Sequence, residues 1–138
     1  MCVDKNHKTT ENLVKRKAFT LSFANIDNVK ACDYVGIVSG NDVPDKFVRS
    51  GFTSVKSTKV DAPIIEQLPL VMECRVKSYE NEELIGEIVN ISTDESILTN
   101  GRIDVKKLRP ITYDPFNHEY LAIGDKVADA FSVGKDLK

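Results

Sequence analysis

A mainly β fold with helices at its periphery is predicted by three features of the sequence. Leu70-Val71-Met72-Glu73-Cys74-Arg75-Val76 alternates from Met72 onward, and Leu84-Ile85-Gly86-Glu87-Ile88-Val89-Asn90-Ile91 answers it across a short polar stretch, Tyr79–Glu83. Two such runs around a polar connection make an antiparallel hairpin. Further short β-type runs lie at Ala18–Phe23, Ile111–Tyr113 and Glu119–Ile123. The helical stretches between them are short and bounded by capping residues.

Taken in order, Cys2-Val3 reads as the tail of a strand. Thr9 or Thr10 then caps a helix whose acidic residue, Glu11, comes early and whose cations, Lys15-Arg16-Lys17, come late, as the helix dipole favours. Phe19, Leu21 and Phe23 fall on one face of a half-buried strand. Asp27 is expected to cap a second helix running to about Val38, with Val29, Cys32, Tyr34, Val35 and Val38 sharing a face. Ser39-Gly40 is expected to end it, the glycine taking a left-handed conformation.

Pro44 sits in the first turn of a short helix over Asp45–Arg49 that Gly51 closes. A loop with strand-like pieces leads to a turn at Asp61-Ala62-Pro63. After the hairpin, Asn100-Gly101 is a turn, and Asp104 caps a short helix through Leu108, stopped before Pro110. Val127–Phe131 reads equally as strand or helix.

The 138 residues are enough for one domain, spanning 1–138, and too few for two ordinary ones. A hydrophobic fraction of 41% with 29% charged residues argues against disorder. A net charge of −2 gives no electrostatic footprint for nucleic acid, and the basic runs Lys15-Arg16-Lys17 and Lys106-Lys107-Arg109 read as solvated helix faces. No apolar run approaches the ~20 residues of a bilayer span, and no secretory signal is visible. Cys2, Cys32 and Cys74 are odd in number and far apart, which suits buried thiols in a cytoplasmic protein. Cys2 and His7 are the only cysteine and histidine close in sequence, too few for a metal site.

The sequence has no catalytic triad, Walker loop, dinucleotide fingerprint or HExxH motif. Two stretches combine chemistry-bearing side chains. Lys5-Asn6-His7-Lys8-Thr9-Thr10 leads into a helix start, where free N–H groups, hydroxyls and cations suit a phosphate; an ordinary capped helix start is the alternative. Tyr113–Tyr120 puts aromatic rings, His118 and carboxylates into one turn, as a planar ligand or a packed aromatic turn would require. Glu80, Glu82 and Glu83 read as a solvated hairpin tip rather than a cation site.

The ordered segments KNHKTTENLVKRKAFTLS, ACDYVGIVSGNDVPDKF, VDAPIIEQLPLVMECRV, IGEIVNI and AFSVGK resemble the flavin reductase-like family with the FMN-binding split β-barrel, which includes flavoredoxin-like proteins. The resemblance spans nearly the whole chain. It implies a split β-barrel with peripheral helices, a homodimer, FMN held without a covalent bond, and electron transfer between flavin and NAD(P)H or a redox partner. Flavin carries that chemistry, so a catalytic triad is not required.

Residue by residue, the resemblance places Lys5, Asn6, His7 and Thr9 at the FMN phosphate. It places Ser22, Ser39 and Gly40 near the flavin, with Tyr113, Phe116 or Tyr120 as aromatic cover. Asp4 stands where relatives often carry Arg or Asn, Ser22 replaces a common Asn, and the acidic Tyr79–Glu83 stretch replaces a longer hairpin. Relatives also carry strands before the equivalent of Val3, so the expectation is an N-terminally truncated barrel whose open edge a second subunit pairs. Two readings follow. One is an FMN-binding flavin reductase. The other is a non-enzymatic member that no longer holds flavin and serves as a dimeric interaction module.

Overall fold

The computed structural model describes residues 1–137. Its centre is a three-stranded antiparallel sheet in the order β1-β4-β5, formed by β1 (Ala18–Ser22), β4 (Leu70–Glu80) and β5 (Glu83–Thr93). β1 lies along β4 with Ala18 opposite Arg75 and Ser22 opposite Val71. The β4–β5 register shifts between Glu73 and Cys74 and again between Val76 and Ser78, which leaves Val89 and Lys77 as extra residues and bends the ribbon. Gly86 is required where it is, because a Cβ there would come within 2.5 Å of the Phe19 ring across the sheet.

Three smaller hairpins surround this sheet. They are β2 (Ser54–Lys56) with β3 (Pro63–Ile65), β6 (Leu98–Thr99) with β7 (Arg102–Ile103), and β8 (Ile111–Asp114) with β9 (Glu119–Ala122). The helices are α1 (Lys8–Arg16), α2 (Val29–Ile37), α3 (Lys46–Arg49) and α4 (Val105–Leu108). The core is divided. Ala18, Val60 and Ala62 pack with Val89, while Leu70, Ile97 and Leu108 pack with Phe23. Leu13 anchors α1 by its own burial, worth roughly 2 kcal/mol for a side chain of that size.

Several local expectations change. α1 begins two to three residues earlier than expected, with His7 as its cap residue and no side-chain cap. The Thr10 hydroxyl is occupied instead, donating to the Asp4 carbonyl at 2.6 Å. α2 is preceded by a 3-10 turn over Ile26–Asn28 whose cap is Asn25, not Asp27; the Asn25 side chain accepts from the Asn28 N–H, and Asp27 instead pairs with Arg109. Val38 leaves α2 in an extended conformation, so Gly40 is not a left-handed cap. The Val127–Phe131 stretch forms turns, neither strand nor helix. Burial pushes the Cys32 and Cys74 thiols up, away from thiolate chemistry, whereas Cys2 is exposed rather than buried.

Candidate functional site

The stretch expected to hold an anion meets the loop after α2 at the start of α1. Asp4 folds the approach to the helix. Its carboxylate accepts the Asn6 N–H at 2.7 Å, and its carbonyl accepts the His7 N–H and the Thr10 hydroxyl. The Asn6 hydrogen bond holds the Asp4 carboxyl below its usual range, so the negative charge is engaged by its own turn. The Asn6 carbonyl in turn accepts the Asn41 side-chain N–H at 3.0 Å, and the Ser39 hydroxyl accepts the Asn41 N–H at 3.1 Å. These bonds bring the loop after α2 onto the loop before α1.

The junction encloses a cavity of about 320 Å³ lined by His7, Lys8, Thr9, Val35–Gly40 and Lys46. Of the residues expected at a cofactor site, His7, Thr9, Ser39 and Gly40 line this one space. Gly40 makes the approach close enough, because a Cβ there would lie 3.3 Å from the Lys8 Cβ. Lys46, which sequence reasoning overlooked, enters from α3 and donates to the carbonyls of Val35 at 3.0 Å and Val38 at 2.8 Å. The only sign of it in the sequence is its place in the SGNDVPDKF stretch.

Other predicted residues lie elsewhere. Lys5 lines a separate groove with Tyr79, Asn81 and Glu82, its N–H directed at the Glu82 carboxylate at 3.4 Å. Asn6 contributes its backbone to the cavity's framework. Ser22 ends β1 opposite Val71 and does not line the cavity. Nor do Tyr113, Phe116 and Tyr120. They belong to the β8–β9 hairpin, where the Tyr113 and Tyr120 rings lie 5.8 Å apart and the Tyr120 hydroxyl donates to Asp33 of α2 at 2.7 Å. Phe116 projects from the turn, 91% exposed.

Thr9 also lines a groove on the opposite side, between α1 and β1, with Asn12, Arg16, Phe19 and Thr20. That groove shares Asn12, Arg16 and Pro63 with a larger cavity of about 450 Å³ that reaches Ser54–Lys56. In the larger space Arg16 is paired with Asp61 at 3.0 Å, and Lys56 is a further cation of its lining. The smaller cavity is lined by residues that carry donors an anion can use: the Thr9 and Ser39 hydroxyls, the Lys8 and Thr9 N–H groups at the start of α1, and cationic side chains, while the Thr10 and Glu11 N–H groups are taken by the His7 carbonyl.

Among the described residues no group of His, Cys, Asp or Glu is placed to hold a metal ion, and no helix is long and apolar enough to cross a membrane.

The model of the flavin reductase like domain family matches residues 1–114. The chain belongs to that family. Its fold, mostly β with a few helices, is the family's split-barrel type. The chain is similar to flavoredoxin of Desulfovibrio vulgaris (Miyazaki F), with 37% identity over 97% of this chain and 74% of that one, at a TM-score of 0.91. Flavoredoxin from Methanosarcina acetivorans is 30% identical, over 99% of this chain and 74% of that one, at a TM-score of 0.89. An FMN-binding domain of a flavin reductases-like enzyme from Shewanella baltica OS155 shares the fold at a TM-score of 0.82, with 18% identity over 94% of this chain and 72% of that one. A search of the curated proteins found no match.

Proposed function

We propose that this chain binds FMN and works in electron transfer, taking reducing equivalents from NAD(P)H or a redox partner. The observation that carries the reading is the convergence of His7, Thr9, Ser39 and Gly40, from two separate segments, on one cavity at the start of α1. The donor set fits a phosphate monoester. His7, Lys8, Thr9 and Ser39, which carry a ring nitrogen, N–H groups and two hydroxyls, line a space whose close approach depends on an absent Cβ at Gly40. Family membership and the likeness to flavoredoxins support the same cofactor. Bound flavin supplies an electron-accepting ring; these residues hold its phosphate and fix its position.

The expected partner is a second copy of the chain. Ile85, Ile88 and Ile91 of β5 are exposed, and β5 is an edge strand of the central sheet. The cytoplasm, where NAD(P)H is supplied, is the expected compartment.

Titration with FMN, followed by flavin fluorescence, tests the reading. Quenching at micromolar concentration is expected, and His7→Ala with Thr9→Ala should weaken binding about tenfold or more. Anaerobic assays with NADH and NADPH then test turnover. A protein that leaves FMN fluorescence unchanged would instead be the non-enzymatic module.

A further inference from the structure

We infer that the β8–β9 hairpin is the docking face for a partner protein that presents lysine or arginine side chains. On the electron-transfer reading above that protein is the redox partner, whereas the docking itself follows from the hairpin alone. The hairpin stands outside the central sheet as a two-stranded unit, and its two faces differ. Tyr113 lies opposite Tyr120, so both rings share one face, which leans on α2 through the bond from Tyr120 to Asp33. Asp114 lies opposite Glu119 and Thr112 opposite Leu121, which places these four on the other face. That face is left to solvent: Leu121 is 45% exposed, and β9 is exposed along its whole length.

The turn between the strands holds Phe116 out in water. Both Asp114 carboxylate oxygens serve the turn itself, one accepting the Phe116 N–H at 2.9 Å and the other the Asn117 side-chain N–H at 2.8 Å. His118, at φ 57°, closes it, with its Nδ1 bonded to the Tyr113 hydroxyl at 2.7 Å. Phe116 is thus presented by a turn that is already built, so docking against it costs little ordering. The charge decides what docks. Residues 111–123 carry two carboxylates and no lysine or arginine, and among the described residues neither Asp114 nor Glu119 is in an ion pair. An exposed aromatic face beside two unpaired carboxylates attracts a cation through both the ring quadrupole and the charge. A guanidinium or ammonium on a protein surface meets both, and Leu121 adds apolar contact beside them.

The test uses ferricytochrome c, a small basic electron-transfer protein, titrated calorimetrically into the full chain with no flavin added. Micromolar binding at low ionic strength that fades with added salt is expected. Phe116→Ala combined with Glu119→Lys should weaken it about tenfold or more, while Glu80→Lys at the tip of the β4–β5 hairpin, the same change of charge, should stay within about twofold of wild type. Equal weakening by Glu80→Lys would reduce the attraction to net charge and overturn the inference, as would binding that the hairpin variant leaves intact, or no binding at all. A hairpin variant that turns a dimer into a monomer in light scattering would give the face to a second copy. One that loses FMN quenching and keeps cytochrome c binding would give it to flavin, and either result overturns the inference. Hairpin-dependent docking by a chain that takes up no FMN would remove the electron-transfer reading and leave the docking face standing.

Discussion

Glu73 in β4 is 1% exposed, yet it has no cation bonded to it among the described residues. Its charge is held by neutral donors. Ser57 donates to one oxygen, while Asn90 at 2.6 Å and Ser92 at 2.8 Å donate to the other. Ser57 also accepts the N–H groups of Lys59 and Val60, so one carboxylate ties the loop after β2 to both long strands. Burial pushes the Glu73 carboxyl up, but the Ser57, Asn90 and Ser92 hydrogen bonds and nearby Lys59 outweigh it, leaving the group below its ordinary value. A depressed folded pKa stabilises the protein above the unfolded value, near 4.5, and that stabilisation disappears as pH falls through the folded pKa. Glu73→Gln keeps the shape and removes the charge. It is expected to cost about 1–2 kcal/mol at neutral pH and to flatten the acid side of the stability profile, leaving the slope due to Asp4, Glu11, Asp94, Asp104 and Asp114. Urea unfolding from pH 7 to pH 3 measures both; an unchanged acid slope would remove Glu73 from the titration.

The β4–β5 hairpin is longer than the alternating runs suggest. Tyr79 and Glu80 belong to β4 and Glu83 to β5, so the turn is Asn81-Glu82 alone. Both turn residues are left-handed, at φ 50° and 66°, which matches the twist of the flanking strands. Asn accepts that conformation readily and Glu does not. Glu82→Gly creates Asn-Gly, the best sequence for such a turn, and should raise stability by roughly 1 kcal/mol in thermal or urea melts. A loss of stability would mean that the long contact from the Glu82 carboxylate to the Lys5 N–H, 3.4 Å, outweighs the backbone strain.

Elements were legible where periodicity and turn chemistry agreed, as in β4, β5, Asn100-Gly101 and the Asp104-capped α4, whose cap accepts the Lys106 N–H. They were misread where a side chain answers to distant chain. Thr10 looks like a cap but bonds to Asp4, and Asn25 rather than Asp27 caps the turn before α2. The site divides in the same way. Thr9, His7, Ser39 and Gly40 meet because two loops that carry recognisable residues are hydrogen-bonded together through Asn41. Lys46 was invisible because its targets are backbone carbonyls of another helix, which leave no mark in the sequence.

At the scale of the whole molecule, the last part of the chain leaves its apolar side chains exposed. Val127 is 100% exposed, Phe131 98% and Leu137 92%. Among the described residues, the backbone hydrogen bonds donated from Ser132 onward join residues of the same segment, as Val133 does to Asp129 at 3.1 Å. Phe131 is also left-handed, at φ 60°, a conformation costing an aromatic residue about 1–2 kcal/mol. Among the described residues nothing covers this ring. The second copy proposed above would offer apolar cover, with the exposed isoleucines of β5 as further surface. Size-exclusion chromatography with light scattering should give a dimer at micromolar concentration, and Phe131→Asp should weaken it about a hundredfold by placing a charge in the buried centre of the contact. A wild type that stays monomeric would assign the exposed segment to a different partner, and a Phe131→Asp dimer as tight as wild type would place the interface elsewhere on the sheet.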